Sequence, residues 1–154
     1  MASVEFFVEG TPRPQGSKRG FVRGGRVVLV ENSKYHKEWR KTVAEAAKEA
    51  MNPKSGAYNI PRLTGPLTMA LQFFFARPKA HFRTGKFSDE LKASAPVYHT
   101  QTPDLDKLIR SVDDSLTGIV FEDDSLVVSL TSSKQWRDGP GQKPGVLVYV
   151  SEVL

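Results

Sequence analysis

Carboxylates gather in one stretch of this chain. Asp104 and Asp106 stand two residues apart, and Glu122, Asp123 and Asp124 follow some twenty residues later. Pro103 disfavours helix at Thr102 and starts a new element close by. Asp104 is therefore expected at a helix N-cap with Asp106 in the first turn, where the helix dipole favours acids. Carboxylates at i and i+2 across a helix start can converge on one ion, because the cap residue has left helical geometry. Asp123 and Asp124 lie just before an expected strand, and a short connection can return them beside the same helix end. Three or four carboxylates brought together repel, and some would stay protonated at neutral pH. A hard dication resolves the conflict. Mg²⁺ takes one or two carboxylates, keeps several waters and accepts phosphate oxygens as further ligands; Mn²⁺ can take its place. The expected metal ligands are Asp104, Asp106, Asp123 and Asp124. Taken singly, each acid also has an ordinary use as a cap or turn residue.

Asp106, Arg110 and Asp114 fall at i, i+4 and i+8, opposite the apolar stripe of the same helix. They could form a solvated salt-bridge ladder worth a few tenths of a kcal/mol per pair. Alternatively, Arg110 stands beside a phosphate as a charge stabiliser. Lys107 competes for that role, and Arg110 ranks ahead of it.

The elements that must position these acids fit one domain over residues 1–154, long enough to bury a core without staples. There is no cysteine, so any metal is held by oxygen or imidazole. The N-terminus lacks the long apolar run of a signal peptide, and no stretch approaches the roughly 18–20 apolar residues of a membrane span. A cytoplasmic protein with no membrane partner is expected. The net charge is +5, yet residues 104–124 hold seven acids against Lys107 and Arg110, so the rest carries +10. A basic body around an acidic knot suits a metal-dependent nuclease, with cations holding phosphates and the knot holding metal. The candidate DNA contacts are Arg13, Lys18, Arg19, Arg23 and Arg26, then Lys34, Lys37, Arg40 and Lys41. These are nine cations against Glu31 and Glu38 over residues 11–41.

Val4–Glu9 reads as a strand. Residues 10–20, GTPRPQGSKRG, read as a basic loop. Phe21–Arg23 and Arg26–Val30 flank Gly24-Gly25 as a hairpin. Asn32 or Ser33 is positioned to cap a helix over Lys34–Met51, with an apolar stripe of Tyr35, Trp39, Val43, Ala46, Ala47 and Ala50. Leu67–Ala76 is an apolar central strand. Residues 77–103 form a long loop, with a short helix around Ser88–Ala93. Leu105–Leu116 is an amphipathic helix with apolar residues at 105, 108, 109, 112 and 116, ended by Thr117-Gly118. Leu126–Leu130, extending toward Trp136, and Val146–Val150 are the last strands, joined by the loop 138–145. The order β–β–β–α–β–α–β–β indicates an α+β domain, a mixed β-sheet with two main helices packed on it. Trp39 and Trp136 are assigned to the core or an interface. His36, His81 and His99 show no paired ligand spacing and receive no role.

The stretch PDLDKLIRSVDDSL from Pro103 to Leu116, followed by FEDDSLV from Phe121 to Val127, resembles the RusA family of Holliday junction resolvases. That family's pattern runs D-x-D-N-L-x-K-x-x-x-D-x-L, a variable turn, an aromatic or apolar pair, D-D and a strand opening with valine. Residues 10–19 are similar to its Gly/Pro-rich basic loop after the first strand. The resemblance implies a RusA-like fold, metal-binding aspartates at Asp104, Asp106 and Asp124, and Asp123 as a supporting acid. Asp114 matches the acid of D-x-L. The family lysine falls on Arg110 and its asparagine on Lys107. Positive charge survives, but a step needing a lysine that loses its proton would not, since arginine stays charged. It further implies a homodimer that resolves four-way DNA junctions by paired, symmetrical nicks, without a small-molecule cofactor. Residues 77–103 have no clear counterpart in the pattern; Phe82, with Arg83 and Lys86, is a candidate wedge for the junction centre. Two alternatives are a nuclease acting on other branched DNA and a non-catalytic DNA-binding module whose acids are structural. A PD-(D/E)xK nuclease is set aside because no lysine sits two residues after Asp123 or Asp124. A haloacid-dehalogenase phosphatase is set aside because the run before Asp104 is polar.

Overall fold

The structure is a computed structural model that describes residues 2–15, 18–31, 34–139 and 141–153. Six strands and two α-helices follow one another as β1 (Ser3–Glu9), β2 (Lys18–Arg23), β3 (Arg26–Glu31), α1 (Lys34–Met51), β4 (Leu67–Phe75), α2 (Leu105–Leu116), β5 (Val127–Trp136) and β6 (Gly145–Glu152). Four strands form a mixed sheet in the order β1-β6-β4-β5, and β2-β3 stand apart as a two-stranded hairpin. This is the expected α+β arrangement.

Period-two alternation decides which face of the sheet is covered. On β4, Leu67, Met69, Leu71, Phe73 and Phe75 are buried, and the antiparallel partner β6 turns Val146, Val148 and Val150 to the same side. Both helices lie there. Trp39, Val43, Ala47 and Met51 of α1 and Leu108, Val112 and Leu116 of α2 join those strands in one core. Close strand packing leaves no room at Gly145, where a Cβ would stand 2.2 Å from the Val8 carbonyl.

β4 pairs with β5 in parallel, so the chain must cross over between them. That crossover contains residues 77–103 and α2, which is why the helix carrying the acids packs beside β5. The hairpin begins at Lys18, three residues earlier than expected, so Lys18 and Arg19 belong to β2 and not to the basic loop. Asn32 and Ser33, the expected helix caps, lie outside the described residues, as do Gly16 and Ser17.

The expected short helix over 88–93 is absent. A compact lobe replaces it, with 3-10 turns at Lys79–His81 and Gly85–Phe87 and a bridge between Phe82 and Leu91. Its backbone closes on itself through Arg83 N–H to the Glu90 carbonyl (2.8 Å) and Lys92 N–H to the His81 carbonyl (2.9 Å). Among the described residues, no helix is long and apolar enough to cross a membrane.

Candidate active site

α2 places the first pair of acids. Asp104 is its N-cap, with extended backbone (φ −71°, ψ 139°), and its carbonyl accepts the Leu108 N–H at 3.1 Å. The Asp104 carboxylate makes no capping hydrogen bond. It faces solvent with Lys107 Nζ 3.5 Å away, and Asp106 is exposed in the first turn. The approach to Asp104 is fixed from across the sheet. Lys134 on β5 donates to the Gln101 carbonyl at 2.6 Å and the Pro103 carbonyl at 3.0 Å.

The second set lies at the far end of the helix. Asp123 caps the 3-10 turn Asp124–Leu126, and its side chain accepts the Ser125 N–H at 2.9 Å. That bond and a proton shared from Asp124 hold Asp123 below the ordinary carboxylate range. Asp124 is pushed up, first by donating to Asp123, then by burial and by the charges of Asp123 and Asp114. Asp113 is pushed up to about 6 by burial, then by Asp124 and Asp114. One of its carboxylate oxygens is buried without a hydrogen-bond partner.

The acids thus divide along one helix. Asp113 lies nine residues beyond Asp104, about 13 Å along the axis at the α-helical rise. Asp113, Asp114, Asp123 and Asp124 form one electrostatic group, which Asp104 and Asp106 do not enter. Among the described residues, no three histidine, aspartate or glutamate side chains form a ready cage for an ion. The donor set nonetheless suits a hard divalent cation. Every donor is a carboxylate oxygen, and the second set holds negative charge that no protein cation offsets.

Arg110 is exposed on α2. It makes no ion pair among the described residues, so the ladder with Asp106 and Asp114 does not form and its guanidinium remains available. Asp114 instead accepts from the Gln15 side chain. Gln15 also donates its backbone N–H to the Lys107 carbonyl at 3.0 Å, and its side-chain oxygen lies 3.2 Å from His36 Nε2. The basic loop is thereby laid along α2.

Of the expected DNA contacts, Arg13 stacks its guanidinium 5.2 Å from the Tyr35 ring centre, and Arg26 and Lys37 are exposed. Lys18, Arg19, Arg23 and Lys34 are placed by backbone only; their side chains lie outside the described residues. Phe82 is 8% exposed and cannot act as a projecting wedge, because the lobe folds around it. Trp39 and Trp136 are core residues as expected, and His99 stacks on Trp136 at 4.1 Å between ring centres.

Sequence reasoning gave no role to Asp113, Gln15 and Lys134. Asp113 had a usable signal, since it lies seven residues after Asp106 and so on nearly the same helical face. Gln15 and Lys134 act on partners far away in sequence and had none.

The family described as endodeoxyribonuclease RusA matches residues 9–150 of this chain. The chain is also 30% identical over 155 residues to the uncharacterized protein YqaN of Bacillus subtilis (strain 168), a match covering 99% of each.

Proposed function

The chain belongs to the RusA family of endodeoxyribonucleases, and on that footing we propose that it resolves four-way DNA junctions by paired, symmetrical nicks in a divalent-metal-dependent reaction. The observation that carries the metal dependence is the uncompensated charge around Asp113 and Asp124. A merely structural acid cluster would be expected to satisfy its buried oxygens, because leaving one unpaired costs about 1–3 kcal/mol.

Asp104, Asp106, Asp123 and Asp124 are the residues that would hold Mg²⁺ or Mn²⁺, with Asp113 and Asp114 adding negative charge beside Asp124. When bound, the cation would polarise the scissile phosphodiester and lower the pKa of an attacking water. The protein's own groups bind and orient. Arg110, free of any carboxylate, lies on the solvent face of α2 where it can stabilise charge building on the phosphate. Lys107 shields Asp104 at 3.5 Å until substrate competes for it. Lys134 fixes the backbone before Asp104, so the N-terminal carboxylates keep their aim. Arg13, Arg26 and Lys37, with the cations of β2, would hold the phosphates of the arms. A four-way junction has approximate two-fold symmetry, and a homodimer would place one such site on each of two opposed strands.

The test is a synthetic four-way junction and a linear duplex of the same sequence, each incubated with protein with and without Mg²⁺. The junction should be cut at symmetrical positions only with metal, leaving 5′-phosphate and 3′-hydroxyl ends. Asp104→Asn should bind the junction and fail to cut it. Undiminished Mg²⁺-dependent cutting by that variant would remove Asp104 from the site.

A further inference from the structure

We propose that the lobe of residues 77–103 is a receptacle for a single unpaired nucleotide of the DNA strand that runs past the active site. The idea rests on the nuclease reading for the identity of the strand, while the recess is argued from its own walls.

The lobe encloses a recess of about 820 Å³. Its rim carries Arg77, Lys79, Arg83 and Lys92, and Ala80 and Phe82 contribute apolar lining. Residues 77–103 hold five cations against Asp89 and Glu90. Two of the rim cations are already engaged. Arg83 pairs with Glu90 at 2.7 Å and lies 4.2 Å over the Phe87 ring. Arg77 donates to the Pro96 carbonyl at 2.7 Å, although its Nε is buried without a partner. Lys79 and Lys92 have no ion pair among the described residues, and both are exposed. The recess therefore offers two uncommitted positive charges above an aromatic and aliphatic lining.

That combination selects the ligand. An inorganic anion would leave most of the volume and all of the apolar lining unused, since small-molecule sites of this size enclose a whole organic ligand. A nucleotide supplies both parts, a phosphate for the lysines and a flat base for Phe82. The base must be unpaired, because a base inside a duplex is stacked on both faces and has none to give. Cationic rims with aromatic platforms are how proteins hold single strands. Burial of Phe82 inverts the wedge expectation: the lobe receives a base and does not push one out.

Location agrees. Trp136 Nε1 donates to the Tyr98 carbonyl at 3.2 Å and Lys134 holds the Gln101 and Pro103 carbonyls, so the lobe is tied to β5 directly before Asp104. A strand crossing Asp104 would next meet the lobe, and the branch point of a junction is where unpaired nucleotides arise.

The test compares wild type with Lys79→Ala/Lys92→Ala, whose changes are exposed and spare the lobe's hydrogen bonds. Fluorescence anisotropy in EDTA would follow a labelled thymidine octanucleotide and a labelled linear duplex. The double variant should bind the octanucleotide at least about tenfold more weakly, with the salt slope reduced by about 1.4 for two lost single-strand phosphate contacts. Its duplex affinity should change less than about twofold, because the hairpin cations remain. Thymidine 5′-monophosphate should compete with the octanucleotide for wild type only. Equal losses for octanucleotide and duplex would mean a diffuse charge effect and overturn the proposal, as would no loss for either. Binding of the mononucleotide with no measurable binding of the octanucleotide would overturn the assignment to a DNA strand. If wild type shows this selective pattern but cuts no DNA with Mg²⁺, the nuclease reading fails and the recess stands. If it cuts junctions and the pattern is absent, the recess alone fails.

Discussion

Replacing Asp113 by asparagine should stabilise the metal-free protein at neutral pH. Asp113 is raised from 3.8 to about 6, chiefly by burial and then by Asp124 and Asp114. A carboxyl raised on folding gives its full stability below its unfolded value and loses it as pH climbs through the folded one, because the unfolded chain sheds its proton first. Two pKa units correspond to about 3 kcal/mol as a ceiling. The group is partly solvated, and screening reduces this to about 1–2 kcal/mol. Asparagine keeps the shape and removes the charge. In urea denaturation at pH 7.5 without metal, Asp113→Asn should gain about that much, or about 3–6 °C in Tm for a domain of this size. At pH 5, where wild-type Asp113 is largely protonated, the gain should shrink toward zero. Added Mg²⁺ should narrow the difference at pH 7.5, since bound cation relieves the same repulsion in wild type. A variant no more stable than wild type at pH 7.5, or equally more stable at both pH values, would refute the claim that this carboxylate is electrostatically strained.

His99 is buried against Trp136 and held below 6.5, first by burial and then by Lys134. The unfolded chain therefore takes up its proton first, and stability should fall as pH drops below about 6.5. The fall is best measured in the Asp113→Asn background, where the opposing carboxyl is silent, and His99→Phe should flatten it. Lys134→Met removes the donor to two carbonyls before Asp104 and should cost about 1–3 kcal/mol in chemical denaturation. It should lower kcat more than it raises KM, and equal effects on both would assign Lys134 to substrate binding. Gly145→Ala sets a Cβ 2.2 Å from the Val8 carbonyl, where β1 meets β6. Overpacking of this kind costs about 1–3 kcal/mol, read as a lower urea midpoint with unchanged slope. Leu71→Ala empties the centre of β4 and should cost about 2–5 kcal/mol in the same assay.

Elements built against the core were legible because burial imposes a period. The residues at 105, 108, 109, 112 and 116 set the length and face of α2, and Pro103 set its start, leaving Asp104 as the cap. Alternation likewise marked β1, β4 and β6. β5 was harder to bound. Its second half is SSKQW, an edge strand whose residues are mostly exposed or half-buried, so no apolar alternation records it. The start of β2 at Lys18 was hidden for a similar reason, since a hairpin standing off the sheet has no core face to write a pattern. The lobe of 77–103 is held by 3-10 turns and one bridge, which have no long period. Candidate ligands were visible as residue types, but their grouping was not. That Asp124 senses Asp113 and Asp114, and that Gln15 reaches Asp114 across 99 residues, depend on tertiary folding alone.

The two ends of α2 also differ in what negative charge costs them. Asp104 and Asp106 sit at the N-terminus, where the helix dipole presents partial positive charge and unpaired N–H groups, so both can stay ionised cheaply. Asp113 and Asp114 sit in the last turn, where the dipole is negative and no basic residue offsets it. Asp124 then adds its charge beside them. The same helix that makes its opening tolerant of acids makes its end intolerant, and a sequence selected for stability alone would place lysine or arginine there. Retaining three aspartates at that end costs stability in the free protein. The cost is recovered only when a cation or a proton arrives, and at neutral pH protons are scarce. Binding a cation at this end should therefore raise folding stability and neutralise the site in one event, whereas a cation held only at Asp104 and Asp106 would relieve little. Separate Mg²⁺ titrations of Asp104→Asn and Asp124→Asn, followed by Tm, distinguish these cases. The larger loss of metal-induced stabilisation is expected for Asp124→Asn, and the reverse order would show that the strained end of the helix is not where the ion is most needed.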